Sequence, residues 1–237
     1  MTRIDVYSTN AAGMWASLGQ FVPVPQGVLA VRTSGSTRVL ALRRLPEANL
    51  TALVAAPGLP GRTVVEDPFG VPDVTAPVET TVLRMPVMIR PPAPVRPFDS
   101  DGVSVVSVLD RPGLEQAEQV IVDGFPLRHL QPFTPGQALP PQVLQLPGWQ
   151  VWLARRDGVP AAAGYTYDDG DAVGIYWLTT LSEYRSTGLG RAVMNAMLAA
   201  HPDRIATLVA TPAGLPLYQR LGFEPVSTAV WYMRMTN

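Results

Sequence analysis

Arg185-Ser186-Thr187-Gly188-Leu189-Gly190-Arg191 is the most informative segment of the sequence. The apolar run 172–178 precedes it and predicts a strand, and apolar residues at helical spacing follow it until Pro202. The sequence therefore predicts a strand, a loop with two glycines and a helix in direct succession. The first N–H groups of a helix have no intrahelical partners, and glycines let an anion approach the backbone. This arrangement predicts an anion site, and Arg185 and Arg191 add positive charge beside it.

Two common phosphate-binding motifs do not fit this loop. A Walker A loop requires Lys and then Ser or Thr after its last glycine, but Arg191 and Ala192 stand there. A dinucleotide-binding fingerprint requires three glycines directly after a strand, but Val193 occupies the third position. One alternative stays open, in which the loop binds no ligand and its glycines only allow close packing at the helix start.

A third motif fits. Arg185-x-x-Gly188-x-Gly190 resembles the acyl-CoA signature R/Q-x-x-G-x-G/A of the GNAT superfamily of N-acetyltransferases. Glu183-Tyr184-Arg185 also resembles the frequent P-E-Y-R of that family, with Ser182 in place of Pro. One predicted strand later, Leu217-Tyr218-x-x-Leu221-Gly222-Phe223 is similar to the family's second signature, L-Y-x-x-x-G-F. Two short motifs in the right order indicate such a domain more strongly than either one alone.

The resemblance implies an α/β fold with a central mixed, splayed sheet flanked by helices, preceded by a smaller α/β N-terminal unit. We predict a small unit at residues 1–90, a proline-rich linker at 91–101 and a GNAT acetyltransferase domain at 102–237. The first unit lacks both motifs, and we interpret it as a candidate degenerate copy of the same fold. Within it, the polar cluster 66–70 is interpreted as a solvated turn or, alternatively, as part of an acceptor cleft.

The resemblance also implies a set of residues that bind acetyl-CoA. The pyrophosphate is expected on the N–H groups of the loop, the pantetheine arm along the end of the preceding strand, and Thr211 where the family often has Asn. The expected residues are Leu178, Thr179, Thr180, Arg185, Ser186, Thr187, Gly188, Leu189, Gly190, Arg191 and Thr211. Free N–H groups at the strand end would polarise the thioester carbonyl as an oxyanion site does.

Catalytic residues follow from the same resemblance. Tyr218 matches the family tyrosine that protonates the departing CoA thiolate, so we expect it to be the general acid. Its alternative interpretation is a core tyrosine with a satisfied hydroxyl. The predicted strand at 172–180 carries no carboxylate, and His129, Glu183 and Asp123 are the candidate general bases. Of these we predict His129, which falls where the acceptor site of the family often forms.

Composition narrows the class of protein. The chain has 237 residues, is 47% hydrophobic and 16% charged, and carries a net charge of −1, which indicates a globular protein without a basic surface for nucleic acid. It contains no cysteine, and all 18 basic residues are arginines, which excludes thiolate and Schiff-base chemistry and hints at a bacterial source. With two separated histidines we expect no metal. The first residues lack a signal-peptide pattern and no apolar run reaches membrane length, so we expect a cytoplasmic protein.

Two functions remain open. The first is an N-acetyltransferase that moves an acetyl group from acetyl-CoA to a primary amine of a small molecule or peptide, by direct transfer in a ternary complex. The second is a non-catalytic acyl-CoA-binding regulatory protein. In either case the expected partners are acetyl-CoA and, for the enzyme, an amine acceptor, with neither nucleic acid nor membrane, and the chain is expected to be a monomer or a homodimer.

Overall fold

A computed structural model describes residues 2–34, 36–56, 61–95, 100–125 and 127–236. It forms two compact units: unit 1 comprises Met1–Arg90 and Thr207–Asn237, and unit 2 comprises Pro91–Ala206. Within the described residues, no helix combines the length and the apolar character that crossing a membrane requires.

The described residues contain five α-helices and eleven strands. In chain order they are α1 (Arg3–Leu18), β1 (Gln20–Phe21), β2 (Val28–Arg32), β3 (Ser36–Ala41), α2 (Glu47–Ala55), β4 (Gly61–Asp67), β5 (Thr81–Arg90), β6 (Val103–Ser107), α3 (Arg111–Gly124), β7 (Trp149–Arg156), β8 (Val159–Asp168), β9 (Ala172–Thr180), α4 (Leu189–Ala200), β10 (Ile205–Val209), α5 (Leu215–Arg220) and β11 (Glu224–Thr236). Short 3₁₀ helices lie at Arg128–Leu130, Pro141–Leu144 and Ser182–Tyr184.

Unit 2 contains an antiparallel meander in the order β9-β8-β7-β6. The helices α3 and α4 both pack against β7, β8 and β9. The side chain of Asp110 caps α3 by accepting from the N–H of Gly113 at 2.8 Å. The predicted succession of β9, loop and α4 is confirmed, because apolar periodicity and Pro202 correctly marked the helix.

A buried glutamate orders the long connection between α3 and β7. Glu118 on α3 is 1% exposed. Its carboxylate accepts from the backbone N–H groups of Gly136, Ala138 and Leu139 at 2.7, 2.6 and 3.0 Å. Three such bonds replace the water that the charge gives up on burial. A segment broken by prolines is thereby fixed on α3 although it has little regular secondary structure.

Unit 1 contains a mixed sheet in the order β1-β2-β3-β4-β11-β5, followed by the part of β10 that begins at Thr207. The pair β3/β4 is parallel, whereas β11 is antiparallel to both β4 and β5. Each face of the sheet has its own core. Tyr7 and Ala11 of α1 pack with Leu40 on one face, and Leu50 and Val54 of α2 belong to the core of the other.

The fold class and the domain limits predicted from the sequence compare differently with the structure. The α/β fold class with a mixed sheet flanked by helices is confirmed by the solved structures described below. The limits 1–90, 91–101 and 102–237 stay a prediction. The observed grouping differs from them because β11 pairs with β4 and β5, so that 207–237 fold with 1–90. Residues 96–99 of the predicted linker lie outside the described residues.

The interpretation of 66–70 as a solvated turn was wrong for its first two residues. Glu66 and Asp67 are 1% and 0% exposed at the end of β4. Glu66 pairs with Arg38 at 3.0 Å, and Asp67 accepts from the N–H groups of Phe69 and Val71 at 3.0 and 2.6 Å. Charges can be buried when such partners replace their water, and the partners of Glu66 come from distant parts of the sequence.

Candidate active site

A β-bulge interrupts β9 shortly before its end. Ala163 pairs with Thr179 and Tyr165 pairs with Tyr176, so the single residue Gly164 of β8 faces two residues of β9, Trp177 and Leu178. Trp177 has a positive φ of 51°, which is uncommon for a bulky side chain. A bulge disrupts the regular ladder locally. It lies directly beside Leu178, Thr179 and Thr180, the strand end for which the sequence predicted free backbone donors.

Gly164 is the residue that makes this bulge fit. A Cβ atom at this position would lie 2.9 Å from the Cα of Leu178 and 3.1 Å from the Cε of Met197 on α4. Both distances are shorter than van der Waals contact, so a side chain would push the bulge or the helix away. The role of Gly164 was not predicted from the sequence, although a glycine inside an apolar strand often marks a bulge or a close backbone approach.

The glycine loop, residues 185–191, follows β9 after the 3₁₀ helix Ser182–Tyr184. Ser186 has φ 64° and Gly188 has φ 90°, so the backbone turns twice through the left-handed region. Gly188 is the N-cap residue of α4, a position where glycine adopts this φ without steric cost. Thr187 closes the turn by donating its hydroxyl to the carbonyl of Tyr184 at 2.6 Å.

Arg185 fastens the loop to two other elements of unit 2. Its Nε donates to the carbonyl of Thr180 at 3.2 Å, and its Nη2 donates to the carbonyl of Gly124 at 3.2 Å. Gly124, in the last turn of α3, lies so close to β9 that a Cβ there would be 2.6 Å from Oγ1 of Thr179. Arg185 thus joins the end of β9, the end of α3 and the glycine loop, and fixes their relative positions.

Backbone N–H groups at the start of α4 complete this arrangement. The first bond into the helix runs from the N–H of Ala192 to the carbonyl of Gly188, at 2.9 Å. The N–H groups of Leu189 and Gly190 precede this ladder and lie at the positive end of the helix dipole. Arg191 lies on the exposed side of the first turn. The loop can therefore present backbone donors and positive charge to an anion.

Tyr218 and Thr211 lie in unit 1. Tyr218 is on α5, 7% exposed, and its ring meets that of Phe223 edge to face at a centroid distance of 6.0 Å. Burial raises the pKa of Tyr218 to about 12. Gly214 packs against the ring, since a Cβ there would be 2.7 Å from Cε2 of Tyr218, and Oγ1 of Thr211 accepts from the N–H of Gly214 at 3.3 Å. At neutral pH the hydroxyl of Tyr218 therefore keeps its proton.

The candidate bases lie on the surface of unit 2. His129 is exposed on the 3₁₀ helix Arg128–Leu130. Asp123 accepts from Nε2 of Gln131 at 2.9 Å, and Glu183 accepts from the hydroxyl of Ser182 at 3.0 Å. None of these observations distinguishes one of the three as a base, so His129 stays a prediction.

A row of aromatic rings beside the bulge was not foreseen from the sequence. Trp149 on β7 stacks on Tyr165 on β8 at 4.7 Å, and Tyr165 stacks on Tyr176 on β9 at 5.4 Å. Trp177 lies 6.3 Å from Tyr165. Stacked rings across neighbouring strands stabilise their register. The residues are apart in sequence, so only the strand pairing shows that they form one row.

No group of three or more histidine, aspartate and glutamate side chains suited to hold a metal ion occurs in the described part of the chain.

Sequence comparison places this site in a known class of protein. Residues 147–225 match the family model described as "Acetyltransferase (GNAT) domain". This segment contains β9 with its bulge, the glycine loop, α4 and Tyr218. The resemblance to the GNAT superfamily is thus confirmed for these residues, and it implies acyl transfer. No curated protein matches the sequence.

Solved structures extend the likeness to the fold of the whole chain. One is a GCN5-related N-acetyltransferase from Kribbella flavida, with a TM-score of 0.67 and 19% identity, covering 100% of this chain and 97% of that one. A GCN5-related N-acetyltransferase-like protein from Streptococcus suis has a TM-score of 0.57 and 12% identity, covering 92% and 89%.

A third similar structure is described as a functionally unknown conserved protein from Staphylococcus epidermidis, with a TM-score of 0.60 and 11% identity, covering 92% and 95%. At these identities the likeness establishes the fold and leaves the reaction to the residues of the site. The interpretation of residues 1–90 as a degenerate copy stays a prediction.

Proposed function

We propose that the protein is an acyl-CoA-dependent N-acetyltransferase that moves an acetyl group from acetyl-CoA to a primary amine by direct transfer in a ternary complex. One observation carries the proposal: a left-handed Gly188 caps α4 in the loop that follows the bulged strand β9, within the segment that matches an acetyltransferase domain. The glycine loop and the start of α4 offer backbone donors for a diphosphate. The end of the bulged strand β9 offers donors for a thioester carbonyl.

Different groups of the glycine loop have different roles in binding acetyl-CoA. Gly188, Leu189 and Gly190 direct backbone N–H groups toward the pyrophosphate. Arg185 acts mainly as a positioning residue, because its Nε and Nη2 already bond the carbonyls of Thr180 and Gly124. The pantetheine arm pairs with the strand end 178–180, next to the bulge that interrupts the regular ladder at Trp177 and Leu178.

Catalysis requires a proton for the departing thiolate and a base for the attacking amine. Tyr218 is the proposed acid because its place in the second motif matches the tyrosine that protonates the thiolate in the GNAT superfamily. Burial raises the pKa of Tyr218 to about 12, so the hydroxyl still carries its proton when the C–S bond breaks. The amine attacks the thioester carbonyl, the C–S bond breaks, and the thiolate takes the hydroxyl proton. His129 or a water molecule removes the proton that the amine loses. Cysteinyl transfer is excluded because the chain contains no cysteine.

Calorimetric titration of acetyl-CoA into the full-length protein tests the donor site. We expect saturable binding that Arg185→Ala weakens about tenfold or more, a loss of roughly 1.4 kcal/mol. Arg111→Ala is the matched control, because Arg111 is an exposed arginine of the same unit that pairs with Glu115. Absence of binding, or equal loss in both variants, would contradict the proposal.

Turnover separates the enzyme from a regulator. Release of free CoA thiol is followed with a panel of primary amines, including spermidine, an aminoglycoside and a peptide with a free N-terminus. We expect at least one acceptor to support turnover and Tyr218→Phe to lower kcat while acetyl-CoA affinity is retained. Tight acetyl-CoA binding without turnover on any amine would favour the non-catalytic acyl-CoA-binding protein.

A further inference from the structure

Unit 1 contains a cavity that the acyl-transfer chemistry does not use, and we propose that it binds a small apolar monocarboxylate. The cavity has a volume of about 620 Å³. This lies within the range of about 300–1,000 Å³ that is typical of small-molecule sites. All its lining residues belong to unit 1, and none of them is among the residues assigned above to acyl transfer.

Most of the cavity wall is apolar. The segment 22–26, with its two prolines, lies on one side, and the helix α2 lies on another. The sheet supplies Ala30, Val39 and Val65 from β2, β3 and β4. Such a surface gains about 25 cal/mol per Å² when an apolar ligand removes it from water. The body of the ligand is therefore a hydrocarbon chain or ring.

A polar row crosses the sheet at the floor of the cavity. Thr37 on β3 is in register with Thr63 on β4, and Thr63 is in register with Arg234 on β11. The side chains thus lie next to one another on the same face of three neighbouring strands. Thr63 is 7% exposed, and its hydroxyl has no hydrogen-bond partner among the described residues. A buried hydroxyl without a partner costs about 1–3 kcal/mol, and a polar ligand group can recover that energy.

Arg234 supplies the charge that selects an anion. Its Nη2 donates to the carbonyl of Ala56, at the end of α2. A guanidinium has five N–H donors, so this bond leaves others for a ligand. Among the described residues, the ion pairs do not include Arg234. One cation next to an unpartnered hydroxyl fits one carboxylate: one oxygen accepts from the arginine and the other from Thr63.

Octanoate and 1-octanol are the probes, since they share an eight-carbon body and differ in charge. Each is titrated calorimetrically into the full-length protein. We expect saturable binding of one octanoate per chain, weakened about tenfold or more by Arg234→Gln, whereas octanol binding changes less than twofold. Thr63→Val, which keeps the volume of the side chain, weakens octanoate about threefold to fivefold. Arg220→Gln, an exposed arginine of unit 1, is the control and leaves both affinities unchanged.

Further variants distinguish this cavity from the acyl-CoA site. Arg185→Ala leaves octanoate binding unchanged, whereas Ala52→Leu, which narrows the cavity from α2, weakens both probes. If circular dichroism shows that Arg234→Gln does not fold, the proposal is judged from Thr63→Val and Ala52→Leu alone. The proposal is overturned if octanoate shows no saturable binding, if Arg234→Gln and Arg220→Gln behave alike, or if Arg185→Ala abolishes octanoate binding.

Discussion

Arg38 in unit 1 and Arg185 in unit 2 are arginines in opposite surroundings. The side chain of Arg38 is 6% exposed and pairs at 3.0 Å with the carboxylate of Glu66, which also accepts from the hydroxyl of Tyr7. The guanidinium of Arg38 lies 4.6 and 4.7 Å from the ring centroids of Trp15 and Trp231. We call these five residues the buried arginine cluster. Arg185, in contrast, is exposed and bonds two backbone carbonyls.

Because their surroundings differ, substitutions of the two arginines should have different consequences. A buried charge that loses its partner destabilises the whole unit, because it gave up its water on folding. An exposed arginine that loses its bonds is solvated again, so the cost to folding is small. We therefore expect changes in the buried arginine cluster to affect stability, and changes in the glycine loop to affect ligand binding and turnover. The predictions that follow test this division in order of decreasing effect.

The largest effect is expected for Arg38→Met. This change leaves the carboxylate of Glu66 buried without its cation and also removes the contacts with both tryptophans. We expect a loss of about 3–5 kcal/mol in the free energy of unfolding, measured with urea at pH 8. Burial raises the pKa of Glu66, so its protonated form is favoured in the folded state. Above the pKa that Glu66 has in the unfolded chain, the unfolded state binds fewer protons than the folded state. Lowering the pH toward 5 therefore favours the folded state, and the destabilisation caused by Arg38→Met becomes smaller.

The double variant Arg38→Met, Glu66→Leu is the matched control, because it removes both charges. We expect it to be more stable than Arg38→Met alone, since no unpaired charge stays buried. Equal stability of the two variants at pH 8 would mean that the pair itself does not stabilise unit 1.

The same contrast explains what could be predicted of the fold. The strand and helix around the glycine loop were predicted correctly, because apolar periodicity and Pro202 are local signals. The start of the helix α1 at Arg3, in contrast, has no such local signal. Its first turns carry Ser8 and Asn10, which break the apolar pattern although they are 2% and 0% exposed. Burial of polar groups depends on partners elsewhere in the chain, and no local pattern reveals them.

The site was predictable to a similar degree. Both motifs lie in the segment that matches the acetyltransferase family. The bulge at Trp177 was not predicted, because its cause is the pairing of β9 with Gly164 of β8. The positioning bond from Arg185 to Gly124 joins residues 61 positions apart, which sequence spacing alone does not show. The roles of Tyr218 and His129 stay predictions for kinetic experiments.

Gly164→Ala tests a residue that serves both folding and the proposed reaction. The new Cβ would lie 2.9 Å from the Cα of Leu178, so the bulge or α4 must shift. We expect a loss of about 1–3 kcal/mol in the free energy of unfolding, as is typical of overpacking. Because the shift moves the strand end, kcat/KM for acetyl transfer falls about tenfold. Val159→Ala, at a 49% exposed position of the same strand, is the control. Retained kcat/KM in Gly164→Ala would mean that the bulge has no part in the reaction.

Tyr218→Phe tests a buried hydroxyl that is functional in our proposal. Burial raises the pKa of Tyr218 to about 12 in the folded protein, against about 10 in the unfolded chain. The unfolded chain therefore loses the proton first, and the wild type loses stability as the pH rises from 10 to 12. Relative to Tyr218→Phe, the free energy of unfolding of the wild type should fall by about 1.4 kcal/mol between pH 8 and pH 11. A constant difference between the two proteins over this range would show that the hydroxyl is solvated.

The smallest effect is expected for the exposed ion pair between Arg3 and Glu224. Both residues belong to unit 1 and their atoms lie 3.3 Å apart, but their side chains are 57% and 67% exposed. Water screens such a pair, so Arg3→Ala should lower the free energy of unfolding by about 0.2–1 kcal/mol. In 1 M NaCl, where the screening length is about 3 Å, this difference should disappear, whereas the effect of Arg38→Met persists because salt does not reach a buried charge. Urea unfolding of both variants at low and high salt makes the comparison within one unit. If Arg3→Ala lowered the free energy of unfolding by more than about 2 kcal/mol at both salt concentrations, this result would contradict the proposed relation between burial and energetic cost.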